Sequence, residues 1–199
     1  MHIYFEKEYH YILSIIINFL QLDDKVLIQK EKDRFMEFAK PMMADMFKEK
    51  IYFDYDFEKL EFLTQMLISQ EKKDDSIFKK SKKEIIKELV CDISSCIYGR
   101  SKTNFLWVLI NLAYSDDDFS ESEKEVLELI VKEFNIDQEI FEELMEYAET
   151  LNATIKQIKF FNDSELPYKE IAPKIKELEE TKEEIIKSLQ NTLDESYLV

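Results

Sequence analysis

The amino-acid sequence predicts an all-α protein, a multi-helix bundle, and three observations carry that expectation. The 199 residues include one glycine, Gly99, and three prolines, too few for the hairpins and bulges of a sheet protein. Apolar residues recur at spacings of three and four along most of the chain, the period of an amphipathic helix. Hydrophobic residues make up 45% of the chain and aromatics 13%, enough for a core and too many for a disordered chain.

The first helix is expected over residues 5–22, with Ile12, Ile15, Ile16, Phe19 and Leu20 on its inner side. A second covers 30–50 and is broken or kinked at Pro41. A third begins near Asp56, a good N-cap, and carries Leu60, Leu63, Met66 and Leu67. The fourth spans 81–98, with Gly99 as its left-handed C-cap. The fifth, 102–115, is apolar nearly all round and reads as the central buried helix.

Helix six follows Phe119, where Ser120 and Glu123 have the spacing of a capping box, and ends at Asn135, which tolerates the left-handed conformation. Asp137 caps helix seven, which carries Phe141, Leu144 and Tyr147. Pro167 and Pro173 punctuate a linker, and Pro173 suits the first turn of a last helix ending near Asp194. The spacing of Ile175, Leu178, Ile185 and Leu189 is heptad-like but is interrupted at Lys182, which favours a docking helix over a coiled coil. The division expected is a helical domain over 1–162, followed by a linker and C-terminal docking helix over 163–199.

Charge is concentrated in one stretch. Residues 116–149 hold 14 acidic side chains opposed by Lys124 and Lys132 alone, most of the net −16 of the whole chain. Phosphates are repelled by such a surface, so a nucleic-acid partner is disfavoured for the second half. The lysines at 79, 80, 82 and 83 read as the exposed start of a helix. The apolar run 11–22 lacks a basic leader and is too short to span a bilayer, so a buried first helix and a cytoplasmic protein are expected. Cys91 and Cys96, five apart, do not form a metal or redox pair and are expected to be buried thiols in a reducing compartment.

No catalytic constellation emerges. His2 and His10 are the only histidines, and one glycine cannot make a phosphate-binding loop. Acid pairs such as Glu142 and Glu143 read as a helix surface.

The triple aspartate Asp116-Asp117-Asp118 lies between two apolar helical patterns and has an echo early in the chain. Aligning Asp24 with Asp116 places Leu27 on Phe119, Glu31 on Glu123 and Lys32 on Lys124. At N-L-A-Y-S-D-D-D-F-S-E-S-E-K the chain resembles the tellurite-resistance TerB family, whose pattern is an apolar helix, Ala-Asp-Gly, any residue, an apolar residue, then Ser-x-x-Glu. The resemblance covers residues 104–149 and, more loosely, 12–38. It implies a TerB-like bundle of two related halves, each with an acidic turn, joined here by an additional C-terminal helix. It also implies a setting in bacterial stress response or phage defence. The family's glycine is replaced by Asp117 in one copy and Lys25 in the other.

Two roles are open for the acidic turns. Asp24, Glu31, Asp116, Asp118 and Glu123 offer the carboxylate oxygens that Ca2+ or another divalent cation requires, and the resemblance implies metal binding. The alternative is that Asp116 and Asp118 cap backbone amides while Glu123 closes its capping box. An EF-hand does not fit, because Glu121 stands where its glycine is needed and Leu127 where its last glutamate is needed.

The expected function is that of a non-enzymatic helical protein acting through this acidic surface on a basic protein partner. The candidate partner-binding residues are Glu121, Glu125, Glu128, Glu139, Glu142, Glu143 and Glu146. The alternatives are an acidic immunity or inhibitor protein neutralising a basic toxin or enzyme, and a structural subunit of a larger assembly.

Overall fold

The computed structural model describes residues 8–22, 81–114 and 119–195. The expected helices over 30–50 and from Asp56, with the Pro41 break, lie outside them. All the regular structure among the described residues is helical: α1 (Glu8–Leu20), α2 (Lys82–Ile93), α3 (Arg100–Ala113), α4 (Glu121–Phe134), α5 (Gln138–Asn162) and α6 (Tyr168–Glu195). The chain divides into two compact units, Met1–Ile136 and Asp137–Val199. α5 thus belongs with α6, whereas the sequence-based division had grouped it with the helices before it.

In the first unit α1 packs chiefly on α2 and also touches α3, while α4 packs against α2 and α3. Residues 12–20 of α1 are buried on every side, more completely than the one inner face expected. Of the two polar residues in this run, Asn18 satisfies its amide locally, donating Nδ2 to the Ser14 carbonyl at 2.7 Å, whereas the buried Ser14 hydroxyl has no hydrogen-bond partner among the described residues. No helix among the described residues is long and apolar enough to cross a membrane. α3 is buried along most of its length, as its all-round apolar sequence predicts. Phe105 of α3 meets Phe134 of α4 with ring centroids 5.9 Å apart.

The fourth expected helix ends earlier than its apolar pattern indicated. α2 stops at Ile93, and Gly99 is the N-cap of α3, not the C-cap of α2. Its φ of 51° and ψ of −134° lie where a side chain would clash, so glycine serves the turn into α3. Cys91 and Cys96 are exposed, in contrast to the buried thiols expected, because Cys91 falls on the outer face of α2 and Cys96 in the turn after it.

The second unit is an antiparallel hairpin of α5 and α6. Phe141, Leu144, Ala148, Leu151, Ile155 and Ile158 form an unbroken heptad stripe along α5. Ile171, Ile175, Leu178, Ile185 and Leu189 form the matching stripe on α6, with Lys182 and Thr192 in register. α6 starts at Tyr168, five residues before the position expected from Pro173, which lies inside the helix. The Pro167 carbonyl accepts from the amides of Glu170 and Ile171, at 2.8 and 3.3 Å, and opens the helix there. Pro173 lacks an amide proton, so the Lys169 carbonyl forgoes its bond four residues on.

Contacts at two levels fix the hairpin register. The Thr192 hydroxyl donates to Glu143 Oε2 at 3.1 Å and lies 3.3 Å from the Tyr147 hydroxyl, and Lys174 Nζ sits 5.3 Å from the Phe161 ring centroid. Counting inward along both helices from these contacts brings Thr154 and Lys182 to one level, a polar layer within the apolar seam.

Candidate functional site

The acidic turn is bounded by a ring contact. Tyr114 at the end of α3 and Phe119 before α4 stack at 5.2 Å with their planes 16° apart, on either side of residues 115–118 in the sequence. Asp116 and Asp118 lie within that segment and outside the described residues, as do Asp24 and Glu31 of the earlier copy.

Glu123 is the one candidate ligand that is described. It is 7% exposed, and its Oε2 accepts from the Ser120 amide at 2.7 Å while the Ser120 hydroxyl accepts from the Glu123 amide at 3.2 Å. This is the reciprocal capping box expected from the spacing. Its carboxylate satisfies an otherwise orphaned donor and its charge lies in the first turn of α4, where the helix dipole favours it. Among the described residues no three of His, Cys, Asp and Glu are grouped so as to hold a metal ion.

The same device opens α2, a feature the sequence reading passed over although the same rule finds it. Ser81 and Glu84 form a second capping box, the Ser81 amide donating to Glu84 Oε2 at 2.8 Å. The helices that precede the two acidic turns also share a buried asparagine. Asn111 donates to the Trp107 carbonyl at 2.8 Å, as Asn18 does to Ser14. Matching these asparagines along the sequence pairs Asp23, one residue before Asp24, with Asp116.

Both ends of α4 follow their sequence signals. Asn135 adopts φ 52° and ψ 47°, the left-handed C-cap. Lys102 reaches across from α3 to donate to the Phe134 carbonyl at 2.8 Å, filling one acceptor that the helix end leaves open and placing a cation at the negative end of the dipole. Asp137 caps α5, its Oδ1 accepting from the Glu139 amide at 2.9 Å.

The partner-binding candidates fall into two sets, one in each unit. On α4, Glu121, Glu125 and Glu128 are exposed and share a face by their spacing. Two of them have local roles: Glu121 lies in the first turn, and Glu125 pairs with Lys83 of α2 at 2.5 Å. That pair borders an open hollow of about 200 Å3 completed by Glu84, Lys87, Val126 and Leu129, in which acidic and basic groups offset one another.

On α5 the arrangement differs. Glu139, Glu142, Glu143 and Glu146, with Glu149 beyond them, are all exposed and all lie off the seam positions Phe141, Leu144 and Ala148. Gln138 Nε2 donates to Glu142 at 3.1 Å, and Glu143 accepts from Thr192. Residues 137–150 contain six acidic side chains and no lysine or arginine. No family model matches the chain, and no curated protein or solved structure matches it.

Proposed function

We propose that this is a non-enzymatic, TerB-like helical protein that presents an acidic surface to a protein partner of basic character. The observation that supports the reading is the glutamate face of α5. A helix that needed only solvation outside its seam would serve equally well with mixed signs, as α6 does, where Lys174, Lys176, Glu177, Glu179 and Glu180 stand in short runs of either sign. The first half of α5 instead carries one sign throughout. A field of one sign steers an oppositely charged partner and accelerates its encounter.

The setting in bacterial stress response or phage defence is supported by the resemblance of residues 104–149 alone. The reading rests on the exposed glutamates and does not require a cation, since the described member of the candidate ligand set, Glu123, has a sufficient role in its capping box.

Affinity capture from the native cell at graded ionic strength, with and without chelator, tests this reading. The expected result is a basic protein retained at low salt, released as salt screens the contact, and indifferent to chelator. Capture that survives high salt contradicts the electrostatic reading. Loss on chelation transfers the role to the acidic turns and a bound cation.

A further inference from the structure

We draw no further inference here: the strongest candidate, the exposed apolar side chains Phe160, Leu166 and Tyr168 at the end of the hairpin where α5 turns into α6, carries nothing because nothing in the structure shows what covers them.

Discussion

Ser120 and Glu123 hold each other: the Ser120 hydroxyl takes the Glu123 amide while the Glu123 carboxylate takes the Ser120 amide. The pair starts α4 directly after the triple aspartate, so one of the five carboxylates proposed for a cation already has a structural partner. Replacing Ser120 with Ala is expected to cost about 1 kcal/mol, read from denaturant unfolding, because one orphan amide loses its acceptor. The loss should be equal in chelator and in millimolar Ca2+. Stabilisation by Ca2+ that disappears in Glu123→Gln would assign the carboxylate to a cation instead.

Asn135 ends the same helix in the left-handed conformation. Substitution by Ala forces a Cβ into that region without the local polar compensation of asparagine. The expected destabilisation is about 1 kcal/mol, and Asn135→Gly is expected to restore most of it.

Lys182 interrupts the otherwise apolar stripe of α6, at the level of Thr154 on α5. A polar residue at such a position fixes register at some cost in stability. Lys182→Leu is therefore expected to stabilise the hairpin by about 1 kcal/mol in thermal or chemical unfolding, since a half-buried apolar side chain replaces a half-buried cation. No gain in stability would show that Lys182 is not part of the seam.

Cys91 is exposed, yet partial burial of its sulfur, and then the Glu133 carboxylate through charge and a hydrogen bond, hold its thiol above the ordinary cysteine range. A raised value means less thiolate at a given pH, and so slower alkylation. Glu133→Gln removes the charge, lowers the value and is expected to speed iodoacetamide labelling of Cys91 at mildly alkaline pH. The sign for stability follows the same direction: what the protonated thiol contributes is present below the ordinary cysteine value and declines as pH rises through the raised one.

The features legible from sequence were those set by local rules. Ser120 with Glu123, Asn135 and Asp137 were placed by cap chemistry that depends on a few neighbouring residues, and the buried character of α3 by a run of apolar residues with no polar face. What the sequence reading missed depended on where a helix stops or what it meets. Gly99 carries the same left-handed tendency at the end of one helix or the start of the next, and only the early stop of α2 at Ile93 decides between them. Pro173 is tolerated inside α6 because it lies soon after the start and costs one carbonyl its partner. Lys182 reads as a break in a heptad when α6 is taken by itself, and its place opposite Thr154 is set by the pairing with α5, which the spacing along one helix does not carry. Of the candidate ligands, Glu123 alone lies in the described residues, while the glutamate row of α5 was visible directly as charge without a counterion.

The most direct test of the central claim is the charge-reversed triple variant Glu139→Lys, Glu142→Lys and Glu146→Lys, which leaves Glu143 and its contact with Thr192 in place. Affinity capture from the native cell, read by mass spectrometry against the wild type, is expected to lose the basic partner while helicity is kept. Retention of the same partner at the same yield would contradict the assignment of the α5 face as the interaction surface.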